Sequence, residues 1–104
     1  MAESRLVYQI MQELGKYGAV YRCNAGSVRL PSGKYFRAMP AGFSDVMLIT
    51  DGGRVCFIEC KTPGGKASPE QTAFIEKMRG LGCRAGVAFS VSEAMQICGI
   101  KSAW

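Results

Sequence analysis

The spacing of apolar residues changes along the chain from a helical period to strand-like runs and then back again. At the amino-terminal end, apolar residues recur three and four positions apart, which predicts an amphipathic helix over residues 3–15. Apolar runs typical of strands lie at residues 19–23, 44–50, 55–61 and 84–90. Asp51 and Gly52 form a turn signal between the second and third runs, so these two are predicted to pair as a hairpin.

A second helical pattern begins at Ser68 and extends to about Gly80. Ser68, proline at the next position and Gln71 form a capping-box pattern, so Gln71 has a structural explanation. Its apolar residues predict a buried stripe, consisting of Phe74, Ile75, Met78 and Leu81. Residues 92–97 predict a closing helix that Ser92 caps.

These elements predict an α/β fold of one domain, residues 1–104, with the order αβββαβα. The succession of strand, helix and strand after residue 55 is a crossover unit, which implies a parallel pair with a right-handed connection. The expected result is a restriction-endonuclease-like mixed sheet with helices on both faces. Pro31, Ser32 and Gly33 indicate a turn within residues 27–38, which form either a short ribbon or a flexible flap.

Composition narrows the class of protein without deciding its function. The 104 residues, of which 48% are hydrophobic and 20% charged, suit one globular domain. No apolar stretch is long enough to span a membrane and the first residues lack a signal-peptide layout, so we expect a cytoplasmic protein. Five cysteines without any histidine argue against a zinc site and favour free, buried thiols.

Charge is distributed more unevenly than the net value of +5 suggests. No acidic residue lies between Glu13 and Asp45, whereas several basic and aromatic residues do. A segment of this kind suits contact with a phosphate backbone, although a solvated hairpin with basic residues is the alternative. The candidate DNA-binding residues are Arg22, Asn24, Ser27, Arg29, Lys34, Arg37 and, after the third strand, Lys66. For Asn24 and Ser27 the alternative is an ordinary turn at the end of a strand.

Candidate chemistry is concentrated where the hairpin strands meet at their open end. Alternation along residues 55–61 places Glu59 and Lys61 on one face and Cys60 on the other. Pairing across the turn brings Asp45 close to Glu59. Two adjacent carboxylates repel each other unless a cation lies between them, and oxygen ligands favour Mg²⁺ or Mn²⁺. The alternative is that Glu59 and Lys61 are simply charged residues at the end of a strand.

A bound cation of this kind suits the hydrolysis of a phosphodiester. It can bind a phosphate oxygen, lower the pKa of an attacking water and neutralise charge on the leaving oxygen. Lys61 would position the water or stabilise the transition state. Glu3 shares a helix face with the apolar stripe, where an acidic group is unexpected unless a positive charge lies opposite; the alternative is the usual preference for acids in a first helical turn.

Residues 1–95 resemble the virus-type replication-repair nuclease (VRR-NUC) family of the PD-(D/E)xK nuclease superfamily. The matching parts are residues 21–27, 42–45, 57–61 and 68–71, together with Glu3 and Phe74. Ser44 occupies the position at which the superfamily pattern has proline, a departure already usual within the family. The resemblance implies a metal-dependent nuclease in which Glu3 completes the metal cluster and Gln71 belongs to the active site. We do not expect one Gln71 side chain to satisfy both the cap and the active site.

Together, the residues and the resemblance lead to one hypothesis about function. We expect a Mg²⁺- or Mn²⁺-dependent endonuclease in which Asp45, Glu59 and the backbone carbonyl of Cys60 hold the metal, while Lys61 and Gln71 position water and phosphate. The resemblance further implies a 5′-phosphate product, a homodimer and a phage-encoded protein acting in the cytoplasm of a bacterial host. A twofold dimer suits a four-way DNA junction. The alternatives are a nuclease without junction preference and a non-catalytic DNA-binding module.

Overall fold

A computed structural model describes residues 2–23, 27–37 and 39–101 of the chain. Within these residues the helices are α1 (Glu3–Leu14), α2 (Pro69–Gly80) and α3 (Val91–Ile97). The strands are β1 (Gly18–Arg22), β2 (Ser27–Arg29), β3 (Tyr35–Arg37), β4 (Val46–Thr50), β5 (Arg54–Cys60) and β6 (Arg84–Ala88). The predicted α/β class is confirmed, and the predicted order αβββαβα is confirmed for the helices and the four-stranded sheet; β2 and β3 are additional strands that form a separate sheet.

The main sheet has four strands in the order β1-β4-β5-β6. β1 and β4 are antiparallel, as are β4 and β5, whereas β5 and β6 are parallel, as the crossover predicted. Thr50 pairs with Arg54 across the turn formed by residues 51–53. Gly52 has a φ of 78°, a left-handed conformation that side chains with a Cβ rarely adopt, which explains the Asp-Gly signal at this turn.

The two faces of β5 belong to two different hydrophobic cores. Cys56, Ile58 and Cys60 face α1 and α3, where they pack with Ile10 and other buried residues of the larger core. Phe57 belongs instead to the smaller core beneath α2, with Ile75 and Ala85. Because alternate residues of a strand point to opposite faces, Glu59 and Lys61 lie on the α2 side of the sheet with Phe57.

Two predicted details of the helices are wrong. Leu81 is not part of the buried stripe of α2 but is 69% exposed, because the helix ends at Gly80 and the chain turns away from the core. The cap of α3 is Ser90 rather than Ser92. β6 ends at Ala88, which leaves the Ser90 hydroxyl free to accept a hydrogen bond from the Glu93 amide at 3.1 Å.

The basic segment contains a short antiparallel ribbon, one of the two forms expected for it. β2 and β3 constitute a separate two-stranded sheet in which Arg29 pairs with Tyr35 and Val28 pairs with Phe36. The tip closes through a hydrogen bond of 2.7 Å from the Leu30 amide to the Lys34 carbonyl. The hairpin formed by residues 27–37, consisting of the two paired strands and the turn between them, is called the ribbon below.

All five cysteines lie in the described part of the chain and are free thiols, as predicted, but the prediction that all of them are buried is wrong. Cys56, Cys60 and Cys98 are buried, whereas Cys23 and Cys83 are partly exposed. Burial raises the pKa of Cys60 to about 12, so that thiol stays protonated and packs as a small apolar side chain. None of the helices in the described residues has the length and apolar composition that crossing a bilayer requires.

Candidate active site

The strand register brings Asp45 and Glu59 together at the open end of the β4–β5 hairpin. Val46 pairs with Ile58, so the next position outward along each strand is Asp45 on one side and Glu59 on the other. The backbone amide of Cys60 donates a hydrogen bond of 2.8 Å to Asp45 Oδ2, and the amide of Cys23 donates one of 2.8 Å to the Asp45 carbonyl. Asp45 is therefore fixed from both neighbouring strands.

A third carboxylate comes from the first turn of α1. Oxygen atoms of Glu3, Asp45 and Glu59 all lie within 4.8 Å of one another. Asp45 and Glu59 are buried, at 6% and 1% exposure, whereas Glu3 is exposed. The predicted convergence of these three acids is thus present, with two members in the protein interior and one at the solvent edge.

Lys61 lies beside this cluster, as the alternation along β5 predicted. Its Nζ is 3.6 Å from Glu59 Oε2, and its side chain is only 15% exposed. The Lys61 amide donates to the Ala88 carbonyl at 3.1 Å, which continues the pairing of β5 with β6 past Cys60. Gly65 lies close to the aliphatic part of the Lys61 side chain.

Gln71 combines two roles that we did not expect one side chain to perform together. Its Oε1 accepts a hydrogen bond of 2.8 Å from the Ser68 amide, which completes the capping box of α2. Its Nε2 donates one of 3.1 Å to Glu59 Oε2. The expectation of a conflict is wrong because the two ends of the carboxamide point to different partners. The cap therefore fixes the orientation of the group that reaches Glu59.

Aromatic and glycine contacts lock the loop before Asp45 onto α2. The Phe43 ring lies 4.4 Å from that of Phe74 and 5.6 Å from that of Phe57, measured between centroids. Gly42 has a φ of 87°, and a Cβ there would lie 2.5 Å from the Glu70 carbonyl oxygen. This contact with the first turn of α2 sets the position of Asp45 relative to Gln71.

The electrostatics of the cluster favour a bound cation. Burial raises the pKa of Glu59 to about 8, Asp45 adds to the rise, and Lys61 partly offsets it. Glu59 Oε1 is buried and has no hydrogen-bond partner among the described residues. A carboxylate oxygen of this kind is well suited to a hard divalent cation, and the all-oxygen donor set fits Mg²⁺ or Mn²⁺. The residues present therefore fit such an ion.

Ser44 is a residue of this site that the sequence did not single out for a role. It is fully buried next to Asp45, and its hydroxyl has no hydrogen-bond partner among the described residues. The only signal in the sequence was its position immediately before Asp45, where the superfamily pattern has proline.

The candidate DNA-binding residues lie in three places. Arg22 ends β1, where it pairs with Val46 next to Asp45, and its side chain is exposed. Arg29 and Lys34 are exposed on the ribbon, and Lys66 is exposed in the loop after β5. Ser27 and Arg37 pair with each other at the base of the ribbon. Asn24 lies outside the described residues. The roles of these residues, and of the Cys60 carbonyl, stay predictions.

Comparison with known proteins identifies the family. The sequence profile of the VRR-NUC domain matches residues 5–92. The chain belongs to the VRR-NUC family. A solved structure described as a VRR_NUC domain is similar over 93% of this chain and 94% of its own, with a TM-score of 0.66 and 20% identity, a level at which the likeness supports the fold. A comparison with curated proteins finds no significant match.

Membership in the VRR-NUC family confirms the resemblance inferred from the sequence. It implies a nuclease of the PD-(D/E)xK type, a hydrolase whose substrate is DNA. Nucleases of this family typically use divalent metals, and this VRR-NUC domain contains a cluster of three acidic residues.

Proposed function

We propose that this VRR-NUC protein is a divalent-metal-dependent DNA endonuclease that hydrolyses phosphodiester bonds with Mg²⁺ or Mn²⁺. The observation that carries the proposal is the convergence of Glu3, Asp45 and Glu59 within 4.8 Å, beside the ammonium group of Lys61. Carboxylates at this separation repel one another unless they share a proton or a cation. Glu59 Oε1, which is buried and receives no hydrogen bond from the part of the chain that the structure describes, supports the presence of a cation.

Each residue around the cluster contributes a separate task. Asp45, Glu59 and the Cys60 carbonyl would hold the ion, and Glu3 would complete its shell from α1. When bound, the ion supplies a Lewis acid that polarises a phosphate oxygen and lowers the pKa of a water. The Cys60 amide, by donating to Asp45 Oδ2, fixes the orientation of this carboxylate within the cluster.

Lys61 and Gln71 would position the phosphate and the attacking water. The Lys61 ammonium lies on the same side of the sheet as the carboxylates, so it can donate to a nucleophilic water or to a phosphate oxygen. Gln71 has its carboxamide oxygen held by the Ser68 amide, and the nitrogen is thereby aimed at the cluster. A group held in this way loses little freedom when substrate binds.

The substrate we propose is a branched DNA, with a four-way junction preferred, cut by a homodimer to leave 5′-phosphates. Family resemblance supports this choice, together with the match between a twofold dimer and a substrate that has twofold symmetry. A nuclease without junction preference and a non-catalytic DNA-binding module are the alternative outcomes of the experiment that follows.

The test is incubation of the purified protein with labelled four-way junction, flap, duplex and single-stranded DNA in Mg²⁺, Mn²⁺ or a chelator. Metal-dependent cleavage that favours the junction, with ends that a ligase can rejoin, supports the proposal. The Glu59→Gln variant should abolish cleavage, whereas Glu76→Gln, which changes an exposed acid of α2, should not. Sedimentation of the same samples measures the dimer.

Two results would contradict the proposal, and each would support one of the alternatives. Tight binding of DNA with no metal-dependent product would indicate a binding module. Equal cleavage of all four substrates would indicate a nuclease without junction preference.

A further inference from the structure

The ribbon is connected to the end of the main sheet at which Asp45, Glu59 and Lys61 lie. This end of the sheet is called the catalytic edge below. β1 ends at Arg22, and the next residue, Cys23, donates its amide to the Asp45 carbonyl at 2.8 Å. Only residues 24–26 separate Cys23 from Ser27, so the base of the ribbon lies within about 14 Å of Cys23 even if the chain is fully extended. DNA whose phosphate reaches Asp45 therefore passes close to the ribbon.

Two adjacent aromatic side chains of the ribbon are left in solvent. Tyr35 is 69% exposed and Phe36 is 56% exposed. As successive residues of β3 they project from opposite faces of the two-stranded sheet. Three other aromatic residues, Phe43, Phe57 and Phe74, pack against one another beneath α2. The fold thus has an aromatic core, and Tyr35 and Phe36 lie outside it.

Positive charge accompanies these exposed rings. Arg29 is directly opposite Tyr35 in the register, and Lys34 precedes Tyr35; both basic side chains are exposed. The sequence contains no acidic residue between Glu13 and Asp45 to offset them. Solvent-exposed aromatic rings beside basic side chains are the combination that binds single-stranded nucleic acid, because bases stack on the rings while the cations contact phosphates.

We infer that the ribbon binds unpaired DNA bases by stacking them on Tyr35 and Phe36, so that the branched substrate presents unpaired bases, as at an opened branch point, next to the cleaved phosphodiester. This inference rests on the proposed nuclease function and extends it to the class of DNA structure. Duplex DNA is a poorer partner for these rings, because its bases already stack on one another. Phosphate contacts alone would explain Arg29 and Lys34 but not the exposed rings.

The test is binding of fluorescent oligothymidylate, and of a duplex of equal length, measured by anisotropy in a chelator so that no cleavage occurs. Replacing both rings, Tyr35→Ala with Phe36→Ala, should weaken oligothymidylate binding roughly 30-fold or more while duplex binding changes little. The salt dependence should keep its slope because no phosphate contact is lost. Arg29→Ala should instead reduce that slope by about 0.7.

Control variants separate stacking from structural damage. Tyr35→Trp with Phe36→Trp should retain oligothymidylate binding, because indole rings also stack. Tyr17→Ala removes a partly exposed tyrosine next to Gly18, at the opposite end of the sheet, and should leave binding unchanged. Thermal unfolding of every variant checks that the fold is intact.

Several outcomes would overturn the inference. These are unchanged oligothymidylate binding by the double alanine variant, an equal loss on duplex, or a change from dimer to monomer in sedimentation. Cleavage by the unmodified protein in Mg²⁺ is measured alongside. If it cuts DNA but the double alanine variant binds oligothymidylate normally, the inference alone fails; if it cuts no DNA, the proposed function fails.

Discussion

The catalytic edge and the ribbon lie close together but are built in opposite ways. At the edge, Asp45 is held by amides of two neighbouring strands and Glu59 is 1% exposed. On the ribbon, Tyr35 and Phe36 are mostly in solvent. Chemistry on a phosphodiester requires groups fixed to within a fraction of an ångström, whereas a surface that receives varied bases does not. The comparison suggests that cleavage depends on the edge and substrate choice on the ribbon.

Among the variants compared below, the largest effect should follow from removing the Lys61 ammonium group at the catalytic edge. We expect Lys61→Ala to reduce the cleavage rate roughly 100- to 10,000-fold on every DNA substrate, because a group that positions water or phosphate is lost. Single-turnover kinetics at saturating protein measure this directly. Lys34→Ala on the ribbon is the matched control and should weaken binding while leaving the saturated rate unchanged. Equal rates for Lys61→Ala and the unmodified protein would contradict the role of Lys61.

A glycine pair tests how rigidly each region is built. Gly42 and Gly33 have similar φ values, 87° and 86°, but only Gly42 lies against another element. Gly42→Ala should lower the free energy of unfolding by about 2–4 kcal/mol, since a strained conformation and a clash with the Glu70 carbonyl add together. Gly33→Ala should cost about 1–2 kcal/mol. Urea unfolding measures both, and equal losses would show that the loop is not locked onto α2.

A substitution of Gln71 can separate its contribution to the cap of α2 from its contribution to cleavage. Gln71→Glu keeps an oxygen for the Ser68 amide but removes the Nε2 donor to Glu59 and adds a like charge. We expect cleavage or metal affinity to fall about 10- to 100-fold with little change in stability. Ser90→Ala, which removes the cap of α3, should show the reverse, with about 1 kcal/mol of stability lost and normal cleavage. Normal cleavage by Gln71→Glu would reduce Gln71 to a helix cap.

The raised pKa of Glu59 predicts a pH dependence with a definite sign. Because the folded pKa is about 8 rather than 4.5, the stability that protonated Glu59 contributes is complete below about pH 4.5 and is lost as the pH rises through about 8. The metal-free protein should therefore lose stability over this range, and the increase in Tm caused by Mg²⁺ should grow between pH 6 and 8.5. Glu59→Gln should reduce the pH dependence both of the stability of the metal-free protein and of the increase in Tm caused by Mg²⁺. A Tm increase that is independent of pH would contradict the assignment of Glu59 as a ligand.

Much of the edge could be predicted from sequence because short-range rules determine it. The two-residue alternation of β5 placed Glu59 and Lys61 on one face, and the Asp-Gly turn set the register that brought Asp45 beside Glu59. The exposure of Leu81 could not be predicted from such a rule, because it depends on where α2 ends. The double hydrogen bonding of Gln71 required the distance between α2 and β5, which only tertiary packing determines.

The structure of the ribbon could be predicted from the sequence only in part. Its turn and basic character were evident from Pro31 to Lys34, but the sequence left a ribbon and a flexible flap as equal descriptions. Exposure of Tyr35 and Phe36 could not be inferred, because aromatic residues in strands are usually buried. Their position outside the aromatic core became clear only from the contacts of Phe43, Phe57 and Phe74.

Anomalous X-ray scattering from crystals soaked in Mn²⁺ near pH 8 would test the central claim most directly. The account predicts a peak bonded to oxygens of Asp45 and Glu59 at about 2.1 Å, with Glu3 close enough to act directly or through water. Absence of a peak at saturating Mn²⁺, or a peak bonded to neither Asp45 nor Glu59, would contradict it.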